Sequence, residues 1–267
     1  IVQQGLQQLV HNEKNVMLVL DSPFIIKLFQ TYSSPESCTF LLEPALGGEL
    51  YVQYHKNGFH GNQKCAKFYT AGVVLAFEHM HSKQIVYRDL KPENVMIADT
   101  GYPKVADFGL AKIVASKTYT TCGTPDYFAP EIIQSSGHSM PADWWALGVF
   151  IFECLTGSTP FDAPNPMQTF TKIMNGIDRL YFPPRASGDA EKLIKALCRK
   201  EPFDRLPLKA GGTVNLKKCE WYKSFEWERM TECQLEPPFM PALKNKTDIS
   251  NFSNVEAGQT APVVPYQ

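Results

Sequence analysis

Four polar side chains between residues 89 and 107 could do chemistry together. Asp89 and Lys91 stand two positions apart, Asn94 follows, and Asp107 comes just before Phe108 and Gly109. A carboxylate beside an attacking hydroxyl can take its proton, and an ammonium group close by can neutralise charge on a transferring phosphate. Asn94 and Asp107 offer hard oxygen atoms, the kind Mg2+ prefers. Gly109 would let the backbone turn sharply beside such a metal. The set suits the transfer of a phosphoryl group from ATP to a hydroxyl.

The elements that must hold these groups are short. Ile85-Val86-Tyr87, Val95-Met96-Ile97 and Lys104-Val105-Ala106 read as strands around the loop. Before them, Ala66, Tyr69, Val73, Ala76, Phe77 and Met80 recur at helical spacing over residues 62–82. After them comes an apolar run over 144–155. It is too short to span a membrane and carries Glu153, so it predicts a buried core helix. An amphipathic helix is predicted over 190–198.

At the start, residues 1–18 predict a helix with Val2, Leu6, Leu9 and Met17 on one face. Glu13 falls on that face. A carboxylate there is costly unless it pairs with a cation or reaches water at the edge of the stripe. Strands are predicted over 24–30 and 38–43, with a turn at Ser33-Ser34-Pro35. Pro44-Ala45-Leu46-Gly47-Gly48-Glu49 reads as a flexible crossing. From residue 231 onward proline is frequent and periodicity vanishes, which predicts an extended tail.

Composition narrows the class. A chain of 267 residues with 44% hydrophobic and 20% charged residues is globular, with room for one large domain or two lobes. The formal net charge of -1 gives no sign of a nucleic-acid partner. Seven cysteines, none in a Cys-x-x-Cys pair, suggest reduced thiols and a cytoplasmic location. The histidines form no metal-ligand constellation and are expected to be solvent-facing or internally satisfied. No transmembrane segment or signal peptide is expected, and the start at Ile1 suggests a piece of a longer chain.

Three phrases occur in order: Tyr87-Arg88-Asp89-Leu90-Lys91-Pro92-Glu93-Asn94, Asp107-Phe108-Gly109 and Ala129-Pro130-Glu131. They resemble the catalytic half of a eukaryotic protein kinase. Thr121-Cys122-Gly123-Thr124-Pro125, the run Asp143-Trp144-Trp145-Ala146-Leu147-Gly148, and the tail phrases Pro237-Pro238-Phe239-Met240-Pro241 and Asp248-Ile249-Ser250-Asn251-Phe252 resemble the AGC serine/threonine group. Asn175-Gly176-Ile177-Asp178, Phe182-Pro183 and Leu197-Cys198-Arg199 look most like cyclic-GMP-dependent kinases, with the cyclic-AMP-dependent catalytic subunit as near neighbour.

The resemblance implies an α+β, protein-kinase-like fold with a mainly helical large C-lobe and a partial, β-rich N-lobe. It divides the chain into an N-lobe remnant at 1–43, the C-lobe at 44–230 and an AGC-type tail at 231–267. It implies ATP and Mg2+ as cofactors, with Asp89, Lys91, Asn94 and Asp107 catalytic and the metal on Asn94 and Asp107. Glu43 and Ala45 would meet adenine, Glu49 the ribose, Met96 would lie under the base, and Phe252 would close over it. Glu49, Glu93 and Glu153 would bind arginines two and three residues before a Ser or Thr, with Thr124 beside Asp89 and Lys91.

Thr120 would be a phosphorylation site facing Arg88 and Lys112, with Thr118 and Thr121 as competing acceptors. Glu13 would pair with a strand lysine outside this sequence. Asp143 would accept N–H bonds from the catalytic loop, and Glu131 would pair with Arg205. The sequence departs from the family pattern at Tyr87 (usually His), at Leu9 (a His in family members) and at Pro207 (usually Gly). A Gly-rich loop and the strand lysine are missing from it. Two readings follow. A longer parent could be an active transferase, with cyclic-nucleotide-binding domains outside these residues. Alternatively the chain is a truncated or pseudokinase module acting as a scaffold.

Overall fold

Residues 141–156 are apolar on nearly every side, Asp143 and Glu153 being their charged members. Such a helix has no face for water and must lie inside a domain. The structure, a computed structural model describing residues 7–34 and 37–252, is built around it. In chain order the elements are α1 (Gln7–Leu18), β1 (Leu28–Ser33), β2 (Cys38–Leu42), β3 (Gly48–Glu49), α2 (Leu50–Asn57), α3 (Gln63–Ser82), β4 (Ile85–Val86), β5 (Val95–Ile97), β6 (Pro103–Val105) and β7 (Lys112–Ile113). Then follow α4 (Pro130–Ile133), α5 (Pro141–Thr156), α6 (Pro166–Asn175), α7 (Asp189–Leu197), α8 (Val214–Lys217) and α9 (Trp227–Thr231).

Helices α3 and α7 pack on α5. At Gly148 the approach of α7 is so close that a Cβ would stand 2.5 Å from Cys198 Sγ. Helix α3 starts where the Asn62 side chain accepts the Cys65 N–H at 3.1 Å, satisfying one of the free donors of its first turn. The larger part is therefore helical, and its strands serve the loop between β4 and β7. Strands β3, β5 and β6 form one antiparallel sheet, with Glu49 opposite Met96 and Val95 opposite Val105, while β4 pairs with β7.

The smaller part is α1 and the β1–β2 hairpin. Here the structure corrects the sequence. Val2, Leu6 and Pro35 lie outside the described residues, as does the tail beyond 252. The buried face of α1 is formed by Val16 and Met17, and Leu9 is 51% exposed. The β-branched pair Ile25-Ile26 does not belong to the hairpin ladder. Ile26 N–H bonds to Val105 O at 2.9 Å and Val105 N–H to Phe24 O at 2.8 Å, so this stretch docks on β6 and the strand begins later, at Leu28. The hairpin leaves Phe29, Tyr32, Leu41 and Leu42 exposed. Residues 232–252 form no helix and run as a strap over the larger part. The Tyr102 hydroxyl donates to Leu235 O along the way.

Candidate active site

Asp143 on α5 organises the loop. Its carboxylate, 1% exposed, accepts the N–H of Tyr87 at 3.0 Å and of Arg88 at 2.9 Å. His81 Nε2 lies 2.8 Å from the same group. Arg88 has φ 71, a left-handed conformation that a bulky residue adopts only when its surroundings hold it there. This turn delivers Asp89 into a buried position. Asn94 Nδ2 donates to both Asp89 O and Asp89 Oδ2 at 2.8 Å, and Lys91 Nζ sits 3.1 Å from Oδ2. Thr124 Oγ1 donates to Asp89 Oδ1 at 3.4 Å and accepts from Lys91 Nζ at 3.4 Å. The carboxylate is thus aimed by three neighbours.

The β5–β6 pairing brings the backbone just before Asp107 to Asn94. Ala106 N–H bonds to Asn94 O at 2.8 Å, and the Tyr87 hydroxyl donates to Ala106 O at 2.5 Å. Burial, with the charges of Asp89, Asp107 and Asp143 around it, pushes the Tyr87 hydroxyl well above the usual phenol range. The sharp turn expected at Gly109 occurs instead at Asp107, whose φ is 55 and whose Oδ1 accepts the Gly109 N–H at 3.1 Å. Glu13 stands beside Asp107. Burial and then the Asp107 charge hold its carboxyl above the usual range, and no cation among the described residues pairs with it.

Do these residues fit a magnesium ion? The Asn94 amide N–H groups are turned to Asp89, which leaves its carbonyl oxygen for a cation, and Asp107 and Glu13 crowd negative charge that a cation would balance. Among the described residues no group of three or more His, Cys, Asp or Glu could hold a metal. Mg2+ commonly takes one or two protein oxygens and fills the rest of its shell with water and phosphate, so the donor set fits.

The crossing between the two parts forms a second wall. The Glu43 carbonyl and the Ala45 N–H make no hydrogen bond among the described residues, while the Glu43 side chain meets Lys104 Nζ at 3.0 Å. Met96 on β5 lies opposite Glu49. The Glu49 side chain precedes α2 without capping it. The tail returns here: Asn251 Nδ2 donates to Leu46 O at 3.0 Å, placing Phe252 next to the crossing. Gly48 makes room for it, with φ +77 and a would-be Cβ only 2.5 Å from Asn251 O. Asn251 and Gly48 had no signal in sequence beyond their phrases, because their contact joins distant segments.

Glu153 on α5 accepts a hydrogen bond from the Tyr127 hydroxyl. Burial lifts the Glu153 carboxyl above the usual range, the Tyr127 bond opposes this, and the charges of Glu93 and Asp126 raise it further. The charge of Glu93 is thus felt at Glu153, and Glu49 lies on the strand packed against the Pro92–Asn94 turn. Tyr127 and Asp126 were not foreseen as members of this group.

Thr120 is exposed, and so is Lys112, whose Nζ reaches Thr118 Oγ1 at 3.3 Å. Arg88 Nε donates to Leu110 O at 2.7 Å, and its Nη1 is buried without a hydrogen-bond partner. Thr118 is not a competing acceptor: it is 3% exposed and bridged through its backbone to His138. His138 is likewise no surface histidine. It is 4% exposed, and burial and the neighbouring Arg88 push its imidazole below the usual range. Thr121 is exposed.

Arg205, 0% exposed, meets Glu131 in two parallel bonds of 2.6 Å and also donates to Pro141 O at 2.7 Å. Pro207 is accommodated in a 3-10 turn right after it.

A family model described as the protein kinase domain matches residues 2–215. The chain is 43% identical over 265 residues to the cGMP-dependent protein kinase egl-4 of Caenorhabditis elegans, covering 98% of this chain and 34% of the relative. It is 42% identical over 265 residues to the cGMP-dependent protein kinase, isozyme 1, of Drosophila melanogaster, again covering 98% of this chain and 34% of the relative. It is 40% identical over 261 residues to the human cAMP-dependent protein kinase catalytic subunit PRKX, covering 97% of this chain and 72% of the relative. The chain spans between 24% and 35% of the length of the cGMP-dependent relatives from fly and worm.

Proposed function

Because this chain belongs to the protein kinase family, in its AGC group, we propose that it is the catalytic part of a serine/threonine kinase governed by a cyclic nucleotide. The observation that carries the reading is Asp89 held by Lys91, Asn94 and Thr124, with Asp107 on the adjoining turn. In this reading Asp89 accepts the proton of a Ser or Thr hydroxyl. Lys91 and the Thr124 hydroxyl keep the acceptor and the transferring phosphate in line. Mg2+ held by Asn94 and Asp107 would supply positive charge to the phosphate oxygens of ATP.

The adenine would lie between Met96 and Phe252, against Glu43 and Ala45, with Glu49 on the ribose. Glu49, Glu93 and Glu153 would take arginines two and three residues before the acceptor, as planar guanidinium groups pair bidentately with carboxylates. A phosphate on Thr120 would meet Arg88 and Lys112; the buried, unpartnered Nη1 of Arg88 supports that role. The division at residues 43 and 230, a cytoplasmic location and cyclic-nucleotide-binding domains outside these residues belong to the same proposal.

The test is phosphoryl transfer by the full chain that contains these residues, with ATP, Mg2+ and a peptide bearing arginine two and three residues before serine. Transfer is expected, and Asp89→Asn should lower kcat by roughly 100-fold or more, as loss of a positioned general base does. A full chain that binds nucleotide and peptide yet transfers nothing would replace the kinase reading with that of a scaffold.

A further inference from the structure

Helix α1 makes a single side-chain hydrogen bond among the described residues: Asn12 Nδ2 donates to Ala111 O at 2.6 Å. The acceptor lies in a stretch whose three consecutive residues are tied to three different places. Leu110 O accepts from Arg88 of the catalytic loop at 2.7 Å. Ala111 O accepts from α1. Lys112 pairs with Val86 across β4–β7 and sends its Nζ to Thr118 Oγ1 at 3.3 Å. Catalytic loop, α1 and the segment that leads to Thr124 therefore meet at residues 110–112.

Asparagine is a weak choice for the interior of a helix, because its amide competes with the backbone for hydrogen bonds. A partner on another element gives that amide a use. Leu9, one turn earlier on the same side, is exposed and supplies no such link. The next residue after Asn12 is Glu13, whose Oε2 and the Oδ1 of Asp107 both line the space over Gly109, 3.9 and 3.2 Å from where a Cβ there would stand. We infer that Asn12 is a positioning residue, which holds α1 in register with residues 110–112 so that Glu13 stays beside Asp107. This inference rests on the kinase reading for its catalytic meaning, though not for its geometry. An amide-to-carbonyl bond carries no net charge, so the link acts whether or not the segment carries a phosphate.

The test is Asn12→Leu in the full chain, followed by hydrogen exchange and by kinetics. Leucine favours helix more than asparagine does, so a purely local effect would slow exchange in residues 7–18. Loss of the link should instead speed exchange in both 7–18 and 110–118, by roughly fivefold, the worth of one hydrogen bond, and leave α5 unchanged. The kcat should fall by a similar factor with peptide KM unchanged. Asn12→Gln, which keeps an amide donor, should recover part of both effects. Unchanged exchange in 110–118 with Asn12→Leu would overturn the inference. If the parent itself transfers no phosphate, the kinase reading fails, and the exchange data still decide whether α1 and residues 110–112 are coupled.

Discussion

A carboxylate in the wrong surroundings stays protonated, and Glu153 is the residue where this matters most. Burial and the charges of Glu93 and Asp126 raise its affinity for a proton, while the Tyr127 hydroxyl steadies the ionised form. If Glu153 binds arginine, it must be ionised to do so. Peptide affinity should therefore weaken as pH falls, beginning at a higher pH than an exposed glutamate would allow. Measuring peptide KM against pH checks this, and Glu153→Gln should flatten the profile. The clustering of Asp89, Lys91 and Asn94 was legible from sequence, since they sit within a few residues of one another and local spacing encodes their geometry. Tyr127 was not legible in the same way. Its bond to Glu153 joins residues from separate elements, and no local pattern announces that. For His138 the sequence left solvent exposure and burial both open, and the structure buries it.

Elements here are fastened by buried charges more than by long ladders. Asp143 ties α5 to the catalytic loop, and Arg205 ties α4 to the segment after α7. Removing Arg205 would leave Glu131 buried and unpaired, so Arg205→Ala should destabilise the folded state by about 3–5 kcal/mol. Chemical denaturation of the variant measures this. Glu131→Ala combined with Arg205→Ala should cost less than the sum of the single changes, because the stranded charge is gone. Helices α3 and α5 were readable in advance, since their apolar spacing is repeated over many turns. Strand β2 (Cys38–Leu42) falls within the 38–43 read from the sequence, whereas the first strand does not keep its expected bounds. Ile25 and Ile26 have strong strand character, but β6 captures them as bridging residues, and tertiary pairing decided the boundary. Of the face expected for α1, Met17 is buried and Leu9 is exposed, while Val2 and Leu6 lie outside the described residues.

At the scale of the molecule, burial is uneven. Helix α5 is enclosed almost throughout, whereas the β1–β2 hairpin presents Phe29, Tyr32, Leu41 and Leu42 to solvent. Segments with few buried contacts open locally at little cost. Amides in residues 28–42 should exchange far faster than those of α5, and equal protection in the two would contradict this account. The division into a helical body and a smaller part could be foreseen, because the motif order implied it. The path of the tail over the body could only be glimpsed, since an extended segment has no period to read. That path has a consequence for synthesis. Leu46 and Asn251 are 205 positions apart, yet they are bonded. Ribosomes add roughly 5–20 residues each second, so on the order of 10–40 s pass between making one partner and the other. Until then the rim around Gly48 waits without its cover, and a nascent polypeptide acquires its finished crossing only after Asn251 has been made.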